Sequence, residues 1–220
     1  MVRAVTRHDW HGAEHLPASG GFVVVQNHLS HADPLTLAHF LYDNGHAPYF
    51  MAKESLFRLP VLGRWIAATG QIPVHRHSSR AADAARAGVQ AVRDGKAVIV
   101  FPEGTLTRDP GLWPMTGRTG AARIALETRC PVVPVAQWGA QHILAPYGRR
   151  LHLIPPTLVH VRAGAPIDLS DLYAWPVDAA TLLEATTRIM GAVTALLEGL
   201  RAEPAPPERY DQRLHPGDAA

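Results

Sequence analysis

The stretch "SSRAADAARAGVQAVRDGKAVIVF", residues 78–101, changes character partway along. Residues 78–95 are rich in alanine, the best helix former, and end at Gly95, a residue suited to stopping a helix. Residues 97–101, "AVIVF", form a continuous apolar run of strand length. A helix feeding directly into a buried strand is the repeating unit of an α/β domain.

The same alternation extends in both directions. "FVVVQ" (22–26) reads as a buried strand, and "DPLTLAHFLYDNG" (33–45) as a helix with a favourable aspartate near its start. "PYFMA" (48–52) and "QIPVHR" (71–76) read as short strands. Between them, residues 54–70 are apolar and are broken by Pro60 and Gly63 into two helical pieces. "TGAARIALETR" (119–129) is a helix, and "PVVPVAQ" (131–137) a strand whose prolines suggest an edge or a strand end. "RLHLIPPTLVHVRAG" (150–164) reads as two strands around Pro155-Pro156. Residues 178–201 fit one long helix with a leucine-rich face. Residues 1–201 then form one domain, and the polar, proline-rich 202–220 a mobile tail.

Composition narrows the function. The 220 residues are 47% apolar, enough for one sizeable core. A formal net charge of +2 is too small to argue for nucleic acid as a partner. The single cysteine, Cys130, precludes an intramolecular disulfide, and its apolar neighbours suggest a packed thiol. No run of about 18 apolar residues marks a bilayer-spanning helix. The N-terminus lacks the apolar core of a signal peptide.

Three polar clusters follow strand-like runs. "QNHLSHADPL" (26–35) holds His28, His31 and Asp33. These could be metal ligands, an acid/base pair or turn residues. His28 and Asp33 have the chemistry of a proton acceptor and its orienting carboxylate; alternatively Asp33 only caps the following helix. "FPEGTLTRDPGLWP" (101–114) places Glu103, Thr105 and Arg108 behind a buried strand, and "GQIPVHR" (70–76) places Arg76, suited to phosphate, just past another. "HGAEH" (11–15) formally matches an inverted zinc-protease pattern. Gly12 and Pro17 undermine the helix that pattern needs, and no third ligand is identifiable. Phosphate-loop, dinucleotide and serine-nucleophile signatures are absent.

In order, "NHLSHAD" (27–33), "GQIPVHR" (70–76), "FPEGT" (101–105) and "VVPVA" (132–136) resemble the blocks of the lysophosphatidic acid acyltransferase family of glycerolipid acyltransferases. The resemblance covers about residues 10–165 and implies a mixed central sheet flanked by helices. It implies that His28 is the general base and Asp33 its partner. Gly70, Arg76, Glu103, Gly104, Thr105 and Arg108 would bind the acceptor, with Arg76 on its phosphate. Arg118 would stand where relatives often have a lysine, and Pro134 would lie on the acyl-donor side. No metal or cofactor is implied. The partners would be a lysophospholipid acceptor, acyl-CoA or acyl carrier protein as donor, and a membrane surface. The protein would be cytoplasmic, held peripherally on the membrane's cytoplasmic face. Phe57, Leu59, Leu62, Trp65 and Ile66, with Arg58 and Arg64, suit an interfacial patch; the alternative is a buried helical hairpin.

Overall fold

The computed structural model describes residues 6–74 and 81–214. Seven strands form one mixed sheet: β1 Thr6–His11, β2 Phe22–Gln26, β3 Pro48–Lys53, β4 Ile72–Val74, β5 Ala97–Val100, β6 Val132–Trp138 and β7 Thr157–Ala163. Their order is β1-β7-β6-β2-β5-β3-β4. Only β6 and β7 pair antiparallel. The helices are α1 Asp33–Asp43, α2 Glu54–Phe57, α3 Leu62–Ala68, α4 Ala81–Arg93, α5 Gly120–Thr128, α6 Ala140–Ile143 and α7 Ala179–Arg201.

The period-2 geometry of a strand divides the core into two layers. Val23, Val25, Val98, Val100 and Val132 pack beneath α4, α5 and α7, against residues such as Val89, Ile124 and Ile189. Their sequence neighbours Phe22, Val24, Ala97, Ile99, Val133 and Val135 point the other way, onto Leu37, Phe40 and Leu41 of α1. The central strands are therefore apolar at successive positions because both faces are covered. Helix α7 begins at Asp178, whose side chain accepts the Thr181 N–H at 2.9 Å. Among the described residues it alone is long and apolar enough to cross a bilayer. Leu182, Ala185, Ile189, Met190, Val193 and Leu197 bury one face of it in this fold.

Three local expectations change. The N-terminal segment contributes β1, which pairs with β7 through charged and aromatic residues that carry no apolar alternation. Residues 150–164 contain one strand, not two, since only Thr157–Ala163 pairs along its length. Of the two readings of the prolines in 131–137, the edge fails, because β6 lies between β2 and β7, while Pro131 does stand at the strand end, immediately before β6. Pro134 is tolerated there because it sits where the β6–β7 ladder ends: its carbonyl accepts from Gly164 N at 2.9 Å, one residue past β7. The missing N–H therefore forfeits one terminal bond rather than a central one. Cys130 is buried, and burial pushes its thiol up from the ordinary value, as suits a packed, unreactive side chain.

Candidate active site

β2, β5 and β6 run parallel, so their C-terminal ends share one edge of the sheet. The segments after β2 and β5 carry the two densest polar clusters, and this topology brings them together. His28 lies two residues past β2, with its ring stacked on Phe101 at 4.2 Å between centroids.

Its Nδ1 is 3.0 Å from Asp33 Oδ2. That oxygen also accepts the N–H groups of Leu29 at 2.6 Å and Ser30 at 2.7 Å. Asp33 Oδ1 accepts from Gln137 Nε2 at 2.9 Å. Asp33 is the first residue of α1, but its side chain caps nothing in that helix; the N-cap position is Ala32. The carboxylate instead turns back onto the 28–30 turn. An ionised carboxylate only accepts, so the proton on the His28 ring belongs on Nδ1 and the lone pair on Nε2.

The backbone of His28 is held from the other segment. Glu103 Oε1 accepts the His28 N–H at 3.0 Å, and the His28 carbonyl accepts from Thr107 N at 2.8 Å. Glu103 Oε2 accepts the Met115 N–H at 3.0 Å. Burial pushes the Glu103 carboxyl up to about 8, against the pull of these two backbone donors. His31 stands apart from this network. Partial desolvation, and then the neighbouring His28, lower its pKa from the ordinary value.

His28, Glu103, Gly104 and Arg118 line a cavity of about 980 Å³, bounded on its far side by α4 and α7. Gly104 has φ +74°, which favours glycine, and a Cβ there would lie 2.7 Å from Arg118 Nε and push that side chain aside. Gly70, Thr105, Arg108 and Pro134 are not part of the cavity wall. Gly70, at φ +71°, ends α3 by donating to Ala67 O at 3.0 Å. Arg108 lies over the Tyr147 ring, 5.6 Å from its centroid. Arg76 lies outside the described residues.

Two contributors escape the sequence reading. Gln137, at the end of β6, joins Asp33 to Thr36, whose hydroxyl donates to Gln137 Oε1 at 2.8 Å. A polar residue closing a buried strand at this edge is the one clue to it. Residues 202–214 fold back over the cavity, where Tyr210 O accepts from Thr116 N at 3.0 Å. Arg209 thereby reaches the cavity, and its buried Nε has no partner among the described residues. Nothing in a proline-rich tail announces this return.

An acyltransferase family model matches residues 7–138. The chloroplastic 1-acyl-sn-glycerol-3-phosphate acyltransferase BAT2 of Brassica napus is 35% identical over 138 residues, 62% of this chain and 38% of that protein. The 1-acyl-sn-glycerol-3-phosphate acyltransferase of Borreliella burgdorferi is 30% identical over 132 residues, 60% of this chain and 51% of that one. The match thus spans about half or less of these relatives. The crystal structure of the 1-acyl-sn-glycerophosphate acyltransferase PlsC from Thermotoga maritima superposes with a TM-score of 0.68 at 26% identity, covering 92% of this chain and 76% of that one.

Proposed function

The chain belongs to the acyltransferase family, and on that premise we propose that it transfers a fatty acyl group from a thioester donor to the free hydroxyl of 1-acylglycerol 3-phosphate, giving phosphatidic acid. The observation that carries this reading is the His28–Asp33 pair opening on a cavity that also receives Arg118 and Arg209. Arginines suit a phosphate, and neither of these two has a carboxylate partner among the described residues.

An alcohol is a poor nucleophile until its proton is taken. His28 Nε2 accepts that proton as the hydroxyl oxygen attacks the thioester carbonyl. Asp33 stabilises the imidazolium and keeps the ring in register. Collapse of the tetrahedral intermediate forms the ester C–O bond and breaks the C–S bond. The imidazolium returns its proton to the departing thiolate. The carrier of the thiol is coenzyme A or acyl carrier protein, since both present the same thioester. No covalent acyl-enzyme is required, and the one thiol is packed away in the core. The enzyme works peripherally on the cytoplasmic face of a membrane, where its acceptor resides.

The test is an assay of purified protein with acyl-CoA and acyl-carrier-protein donors. The acceptors are 1-acylglycerol 3-phosphate, glycerol 3-phosphate and unphosphorylated 1-acylglycerol, with product mass and acyl position determined. Phosphatidic acid from the first acceptor is the expected outcome. Acylation of another acceptor in its place would reassign the substrate, and no acyl transfer to any would remove the reading.

A further inference from the structure

Resting on that reading, we propose that residues 147–156 are a lipid-inserting loop that docks the catalytic edge of the sheet onto an anionic bilayer. The loop joins α6 to β7. Because β7 runs antiparallel to β6, its start lies at the sheet edge that carries His28. The loop is fastened there from within, where His152 N donates to Ile143 O at 2.8 Å and Leu151 bridges Leu144, and through two side chains. Ser30 Oγ donates to Leu144 O at 2.7 Å, and Tyr147 Oη donates to Leu106 O at 2.9 Å.

Its outward side is unusual for a water-facing turn. Leu151 is 61% exposed, Ile154 is 91% exposed, and every residue from 149 to 156 is exposed. A loop that bends between fixed ends has no need of three exposed aliphatic side chains, Leu151, Leu153 and Ile154, in water. Arg149 and Arg150 precede them, and residues 144–156 contain no Asp or Glu. An apolar tip behind a basic collar matches acyl chains beneath anionic headgroups.

A second segment at the same edge has the same chemistry. β3 runs parallel to β5, so α2 and the turn after it, which follow β3 directly, also lie at the end of the sheet where His28 sits. Between α2 and α3 Leu59 is exposed and Val61 is 83% exposed; Arg64 follows, while Arg58 pairs with Glu54 at 2.7 Å. Ile66, expected from the sequence to face the interface, is packed inside instead. Two projecting aliphatic tips flanking one opening fit a deformable lipid surface. A folded protein partner would need a concave receiving face, and the consecutive exposed residues of 149–156 form a projection.

The experiment pairs vesicle binding with turnover of a monomeric acceptor. The full chain and the Leu151→Glu/Ile154→Glu variant are sedimented with vesicles of phosphatidylcholine and phosphatidylglycerol. Both are also assayed on a short-chain 1-acylglycerol 3-phosphate below its aggregation threshold. The expected result is partitioning weakened by roughly tenfold or more in the variant, with turnover of the monomeric acceptor unchanged. An Arg149→Gln/Arg150→Gln variant should lose binding that added salt also removes from the parent. Equal partitioning of variant and parent, or no binding by the parent at low salt, overturns the loop assignment. So does unchanged vesicle binding with loss of turnover confined to the acyl-carrier-protein donor, which would mark a protein-docking loop. Absence of turnover by the parent chain on the monomeric acceptor would instead count against the proposed reaction.

Discussion

The Glu103 carboxyl group accepts the backbone N–H of His28 at 3.0 Å through one oxygen and the Met115 N–H at the same distance through the other. Both oxygens of this buried acid are thereby engaged by the chain itself. Glu103 acts on the candidate active site by position, stapling the turn after β2 to the loop after β5.

Glu103→Gln keeps the shape but presents an NH₂ group to one of the two amides. Leaving a buried N–H unpaired costs about 1–3 kcal/mol, so the variant should unfold at lower urea and turn over more slowly. The pH dependence carries a sign. Burial raises the folded carboxyl to about 8 from the ordinary 4.5, so the folded protein holds this proton more tightly than the unfolded chain does. That stability is complete below pH 4.5 and is lost as pH rises through 8. Unfolding midpoints measured from pH 5 to pH 8 should therefore fall in the parent and stay flatter in Glu103→Gln.

His28→Ala should reduce kcat by about 10²–10⁴-fold, the usual contribution of a general base. His31→Ala should keep most of the activity, because His31 shares no bond with the network around Asp33. Asp33→Asn places an NH₂ group among four donors and should approach the His28→Ala loss. Steady-state rates of folded variants, checked by circular dichroism, decide among these. A fully active His28→Ala would refute the mechanism.

Gln137→Ala removes the donor to Asp33 Oδ1 and the acceptor of the Thr36 hydroxyl in one step. The Thr36 hydroxyl keeps Asp33 O as an acceptor at 3.0 Å, so Asp33 Oδ1 is the buried group left without its donor, and the expected loss is about 1–3 kcal/mol of stability. Turnover should fall roughly tenfold through kcat, with KM for either substrate little changed, because Gln137 supports the base and not the acceptor. A variant with raised KM and normal kcat would place Gln137 in substrate binding.

Arg118→Ala and Arg209→Ala should each raise KM for 1-acylglycerol 3-phosphate by about 10–100-fold, the equivalent of one charge-assisted hydrogen bond. Turnover of unphosphorylated 1-acylglycerol, however slow, should be unaffected. Lysine at either position should recover part of the loss, since it restores the charge without the bidentate fork. Equal damage to both acceptors would mean that these arginines shape the fold and not the phosphate site.

Much of this protein is written in local pattern. Apolar runs and helix stops place the strands at 22–26 and 97–101 and the helices at 33–45, 78–95 and 178–201 close to where they occur, because periodicity and capping act over a few residues. His28 and Asp33 lie within one turn of chain, but their local stretch leaves several readings open, and it is the resemblance carried together with "FPEGT" (101–105) that singles them out. Glu103 was visible as a site residue, yet its work was not, because its partners His28 and Met115 meet it only through the parallel pairing of β2 with β5. β1 escaped notice because its pairing with β7 is carried by residues without apolar alternation. Gln137 and Arg209 escaped for the same reason of distance, being 104 and 181 residues from the atoms they join or approach, Asp33 and His28. The sequence by itself determined most of the elements and singled out His28 and Asp33 as a candidate pair. Only the tertiary structure decided what surrounds that pair, since strand order sets which loop ends share an edge, and strand order depends on long-range pairing that no short window contains.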